Sequence, residues 1–111
     1  MAATFIKIDS TEKLDSIFES SNSAPVLLFK HSNSCGVSSL VHGRISELES
    51  IVNIVIVQQN RDISNLIAER TGIRHETPQA IVISGGEPSF YASHYAITVE
   101  ALSDALALDA E

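Results

Sequence analysis

Three uninterrupted apolar runs constrain this chain more than any other feature: Val26-Leu27-Leu28-Phe29, Ile54-Val55-Ile56-Val57 and Ala80-Ile81-Val82-Ile83. A strand with one wet face alternates apolar and polar residues, so runs without alternation predict strands covered on both faces. Such strands need helices above and below the sheet. With their flanks, the second and third are read as Asn53–Gln58 and Gln79–Ser84.

The intervening segments supply the helices. Leu14, Ile17 and Phe18 recur at helical spacing to about Ser20, after the capping chemistry of Asp9-Ser10-Thr11. Val37, Leu40, Val41, Ile45 and Leu48 form a stripe on a helix of roughly fourteen residues. Its expected cap is Ser34, with Cys35 in the first turn. Ile63, Leu66 and Ile67 mark a third helix that Gly72 ends. Thr98 caps a last one, with Ala101, Leu102, Ala105 and Leu106 inward. Phe5-Ile6-Lys7-Ile8 is a short first strand, and Ser21–Pro25 is a loop. Gly85-Gly86 is a hairpin turn, and Pro88 in the returning strand suits an edge position. The expected order is βαβαβαββα. That makes residues 1–111 one α/β domain, a central mixed β-sheet with helices on both faces.

Composition narrows the function classes. A hydrophobic fraction of 44% is that of a folded globular chain. The net charge of −7 argues against nucleic acid or an anionic membrane as partner. No apolar run approaches the roughly 18 residues of a membrane span. The start, Met1-Ala2-Ala3-Thr4-Phe5, has no basic flank leading into an apolar segment, so no secretory leader is expected. A single cysteine excludes an internal disulfide and offers no Cys spacing for a metal. A reducing cytoplasm is the expected setting.

The chemistry gathers at Phe29-Lys30-His31-Ser32-Asn33-Ser34-Cys35-Gly36-Val37-Ser38. A strand end runs into a short polar loop, and the only cysteine follows at the start of a helix. A helix N-terminus carries unpaired N–H groups and partial positive charge, a setting that favours a thiolate. The element order is that of the thioredoxin fold, whose reactive thiol follows the second strand and whose cis-proline precedes the hairpin. Cys35 and Pro78 occupy those places.

A closer resemblance rests on three segments. They are Phe29–Ser32, the run Ile67 to Gln79 with Arg74-His75-Glu76-Thr77-Pro78-Gln79 at its end, and Ala92-Ser93-His94-Tyr95-Ala96-Ile97-Thr98. Together they resemble the monothiol bacilliredoxins. The resemblance implies a small cytosolic thiol–disulfide oxidoreductase that removes bacillithiol, or an equivalent low-molecular-weight thiol, from thiol-capped client proteins. Cys35 would attack and then need a second thiol from outside as co-substrate, with no bound cofactor and no metal. Ser38 stands where a dithiol thioredoxin keeps its resolving cysteine.

Individual side chains carry narrower expectations. His31 either lowers the thiol pKa or is a solvated loop residue. Ser38 either bonds the sulfur or satisfies a first-turn backbone group. Thr77 and Pro78 would pair with client backbone. Lys30, Arg74 and His75 would hold the carboxylates of bacillithiol, or else are ordinary surface charge. His42 is expected on the exposed face of its helix, and His94 to be structural.

One departure points elsewhere. Relatives usually have proline after the cysteine, where this chain has Gly36. Cys35-Gly36-Val37-Ser38 is similar to the Cys-Gly-Phe-Ser of monothiol glutaredoxins, which share an iron–sulfur cluster across a dimer. An iron–sulfur carrier and a non-catalytic thiol sensor therefore stand as alternative readings.

Overall fold

The computed structural model describes residues 2–107. The three apolar runs form strands, though the second begins at Ile51 and ends at Ile56 rather than spanning Asn53–Gln58, and six further elements and one short 3₁₀ turn flank them. In chain order these are β1 (Thr4–Lys7), α1 (Thr11–Ser20), β2 (Val26–His31), α2 (Gly36–Ile45) and β3 (Ile51–Ile56). They continue with α3 (Arg61–Thr71), β4 (Gln79–Ser84), β5 (Glu87–Ser93), the 3₁₀ turn His94–Ala96 and α4 (Val99–Ala105).

The sheet order is β1-β3-β2-β4-β5. β1, β3 and β2 run parallel, and β4 and β5 are antiparallel to their neighbours. β2, the most central strand, is buried along almost its whole length, as an unalternating run requires. Leu27 and Phe29 face one layer, with Val41, Ile45, Leu48, Leu102 and Leu106 from the α2 and α4 side. Leu28 faces the other, with Leu14, Ile63 and Ile67 from α1 and α3. Burying a Leu, Ile or Phe side chain contributes about 1.5–3 kcal/mol, so these two layers dominate the stability of the sheet.

The signals at the ends hold. Ser10 Oγ accepts from Lys13 N–H at 3.2 Å, and Thr98 Oγ1 from Ala101 N–H at 3.1 Å. The β4–β5 hairpin turns on Gly85 and Gly86, with φ of 62° and 83°. A tight turn with positive φ at both central residues is accessible chiefly to glycine. Pro88 lies on edge strand β5, beside a register shift between Val82 and Ile83.

Two expectations are corrected. α2 spans ten residues rather than fourteen, ending at Ile45. Its periodicity runs on because i→i+3 turns follow the helix: Glu47 N–H bonds Arg44 O, and Leu48 N–H bonds Ile45 O. Those turns keep Leu48 on the core side. Leu40, assigned to the buried stripe, is 48% exposed. The buried positions of α2 are Ser38, Val41 and Ile45, with Val37 packed against them, and Leu40 falls off that line.

Candidate active site around Cys35

β2 extends two residues past its apolar run. Lys30 pairs with Val55 on one side and Gln79 on the other, and His31 pairs with Ile56. Ladders on both flanks hold Lys30 in the sheet, and the β3 ladder holds His31. Alternation then sends them to opposite faces: His31 toward α2, Lys30 toward α3.

Cys35 differs from its expected place by one position. It is the N-cap of α2, with extended backbone (φ −111°, ψ 123°) and no side-chain capping bond. Its carbonyl already accepts Ser39 N–H at 3.1 Å, so the helix starts at Gly36. The sulfur is half-buried and free. An N-cap side chain stands beside the unpaired N–H groups of the first turn, where negative charge is favoured.

Ser38, one turn on, is wholly buried and turned to other work than the sulfur. Its Oγ accepts Ser32 N–H at 3.0 Å and bonds His31 Nδ1 at 2.8 Å. The backbone group it satisfies therefore belongs to the preceding loop, not to the helix's first turn. His31 is 8% exposed, neither solvated nor in a loop. Burial, and then the neighbouring His42, push its pKa below the usual 6.5. Burial there thus disfavours the imidazolium form of His31. His42 is not on an open face. Its ring stacks on Phe5 with centroids 4.4 Å apart and planes 9° from parallel.

On the far face of β2, Lys30 is fully buried. It belongs to no surface set of cations. Its Nζ donates to His75 Nδ1 at 3.2 Å, and Ser64 Oγ lies 3.1 Å from the same nitrogen. His75 Nε2 is 3.2 Å from Thr77 Oγ1. An imidazole that accepts at Nδ1 donates at Nε2, so Lys30, His75 and Thr77 form a polar line toward the Thr77–Pro78 bond. Burial lowers the Lys30 pKa to about 8. Burial and then the Lys30 charge also lower that of His75. Arg74 is exposed, and its carbonyl accepts Gln79 Nε2 at 3.0 Å. Of the expected cations, Arg74 and His75 face solvent and Lys30 does not.

The Thr77–Pro78 peptide is cis. Lys30 pairs with Gln79, so one more register step sets Pro78 beside His31, at the sheet end from which the Cys35 loop leaves. His94, expected to be structural, brackets this corner. Its N–H bonds Pro78 O at 3.0 Å, and its Nδ1 lies 3.5 Å from Glu76 Oε1.

A residue not singled out in the sequence completes the site. Gln58, just past β3, meets the cysteine loop at three atoms: Asn33 N–H at 3.2 Å, Ser32 Oγ at 2.7 Å and Ser34 Oγ at 3.0 Å. The sequence marks it only as the end of the strand Asn53–Gln58, whereas β3 ends at Ile56 and leaves Gln58 in the following turn.

Comparison with known proteins decides the family. A family model described as Monothiol bacilliredoxin BrxC matches residues 6–102. The chain belongs to the monothiol bacilliredoxins. A solved thioredoxin-fold protein proposed to be an oxidoreductase is 30% identical, with a TM-score of 0.85 over 92% of this chain and 93% of the other. Thioredoxin O1 from Arabidopsis thaliana (16% identity, TM-score 0.72, 93% and 97% covered) shares the fold. So does thioredoxin from Trypanosoma brucei brucei (13%, 0.74, 94% and 88%). The bacilliredoxin is thus a thiol redox protein of thioredoxin fold, and Cys35 is its only cysteine. Among the described residues, no three His, Cys, Asp or Glu side chains group as metal ligands, and no helix is long and apolar enough to cross a membrane.

Proposed function

We propose that this bacilliredoxin removes bacillithiol, or an equivalent low-molecular-weight thiol, from mixed disulfides on client proteins. The observation that carries the reading is the lone Cys35 at the N-cap of α2, with Ser38 buried where a second sulfur would resolve the reaction. The Cys35 thiolate attacks the sulfur of the small thiol. The client–thiol S–S bond breaks, and the client sulfur leaves with the electron pair and takes a proton. A new disulfide now joins Cys35 to the small thiol. A second small thiol, as thiolate, attacks the cap, forms its own symmetric disulfide and releases Cys35. The net change is one capped client plus one thiol giving one free client thiol and one small-molecule disulfide.

Three features support the assignment of roles. The corner at Thr77 and cis Pro78 lies at the end of β4, where client backbone would pair beside the attacking sulfur. Exposed Arg74 and His75 would meet the carboxylates of an acidic thiol. Lys30, being buried, contributes through His75 rather than by contact. No bound cofactor enters the scheme, and a reducing cytoplasm is the setting it needs.

The test is a client carrying a bacillithiol cap, followed by intact mass. Cys35→Ala is expected to abolish uncapping. Undiminished removal by that variant would end the reading.

A further inference from the structure

We infer that Gln58 is a positioning residue for Cys35, fixing the loop that presents the sulfur. The inference rests on the reading of Cys35 as the reacting atom, and goes beyond it in naming what sets that atom's place. Residues 32–35 lie between the end of β2 and the start of α2, where no sheet or helix ladder reaches. The backbone N–H groups of residues 32–34 turn to side chains instead. Ser32 N–H goes to Ser38 Oγ at 3.0 Å, Asn33 N–H to Gln58 Oε1 at 3.2 Å, and Ser34 N–H to Ser32 Oγ at 3.4 Å.

Gln58 joins these into one network. A backbone N–H only donates, so the Asn33 contact assigns the carbonyl oxygen of the Gln58 amide. The amide's two protons are then left for Ser32 Oγ at 2.7 Å and Ser34 Oγ at 3.0 Å. Every polar position of the amide is spent on three consecutive residues, the last of them adjacent to Cys35. Gln58 itself is exposed and lies outside the core, so its bonds serve the loop rather than the packing. Cys35, as N-cap, is tethered to α2 through its carbonyl alone. The direction in which its Cβ leaves the loop is set by what holds residues 32–34. Ser38 holds that loop from the α2 side, and Gln58 from β3.

The test compares wild type, Gln58→Ala, Ser34→Ala and the double variant, by hydrogen exchange at the Asn33 amide and by iodoacetamide alkylation of Cys35. Gln58→Ala is expected to lose Asn33 protection and to slow alkylation about ten-fold, the scale on which small misplacements of a reacting group act. Ser34→Ala, which removes two bonds of the network, to Gln58 Nε2 at 3.0 Å and to Ser32 Oγ at 3.3 Å, is expected to slow alkylation about three-fold. The double variant is expected to be slower than Gln58→Ala by less than the roughly three-fold of Ser34→Ala alone. The two changes share the Gln58–Ser34 bond, and only the Ser32–Ser34 contact is lost in addition. In turnover, kcat is expected to fall while KM for the capped client holds. Alkylation of Gln58→Ala within about two-fold of wild type would overturn the inference, whatever the Asn33 amide does. Should Gln58→Ala fail to fold, Ser34→Ala decides, and a wild-type rate in that chain overturns it. Alkylation does not depend on which small thiol the protein serves, so the proposed function can fail while this inference stands.

Discussion

Ser38 and Lys30 mark the two sides of the site where single atoms carry the most consequence. The Ser38 hydroxyl is wholly buried and satisfies Ser32 N–H and His31 Nδ1 together. Ser38→Ala would leave both without that partner, at a cost of about 1–3 kcal/mol for a buried unsatisfied group. Urea unfolding checks this, and an unchanged midpoint would contradict it. Lys30 works in the opposite sense. Its ammonium is buried against an imidazole rather than a carboxylate, and its pKa falls from 10.5 to about 8. Between pH 8 and 10.5 the unfolded chain binds the proton that the folded chain has lost, so stability rises with pH across that window. Lys30→Met is expected to remove this slope and to stabilise the protein at pH 7, where the full cost of burying the charge is present. His31 and His75 act at the acid end. Both are lowered from 6.5, so the unfolded chain takes up protons first as pH falls below 6.5, and stability declines there. Melting temperatures from pH 5 to 10 display both slopes, and a flat profile would contradict the burial of Lys30 and His31.

α2 is the element on which sequence and structure differ most instructively. Its apolar period and the cysteine at its start were legible because a buried helix face must repeat. The one-residue shift that makes Cys35 the N-cap was not legible. Ser34 is a better N-cap by composition, but its hydroxyl is drawn back to Gln58 and Ser32 by contacts distant in sequence. The burial of Lys30 and His31 escaped for a related reason. A lysine and a histidine after an apolar run read as a loop, and only pairing with β3, and for Lys30 also with β4, keeps them in the sheet. Gly36, the position that departs from the family's usual proline, is the first residue of α2. A side chain added there would meet no atom within 4 Å, and its φ lies outside the left-handed region. Proline is favoured at the first helical position and reduces the entropy of the unfolded chain. Gly36→Pro is therefore expected to stabilise the protein by about 0.4–1 kcal/mol. Thermal denaturation checks it, and a lowered melting temperature would contradict the placement of the helix start.

At the scale of the whole molecule, three buried strands and four helices bring two distant turns to one end of β2. One is the loop before α2, which carries Cys35, and the other is the cis corner before β4. The element order and both helix layers follow from the apolar pattern, whereas the strand order β1-β3-β2-β4-β5 does not. The side-chain networks were not legible either, because hydrogen bonds such as Gln58 to Ser32 or Lys30 to His75 leave no periodic trace. The shape of the surface is no guide to the site either. A groove of about 460 Å³ beside edge strand β1, lined by Ile6, Lys13, Ile17 and Asn53, includes no residue of the Cys35 loop. Function follows the sulfur and its surroundings.

The central claim is that a single sulfur takes up the cap and an outside thiol removes it. Mixing reduced protein with a bacillithiol-capped client, quenching with acid and weighing both intact chains tests it most directly. The account predicts a client that has lost its cap and a protein that has gained it on Cys35, with added free bacillithiol then removing the cap from Cys35 and leaving the client uncapped. A client that keeps its cap, or loses it while Cys35 stays unmodified at every time point, would contradict it.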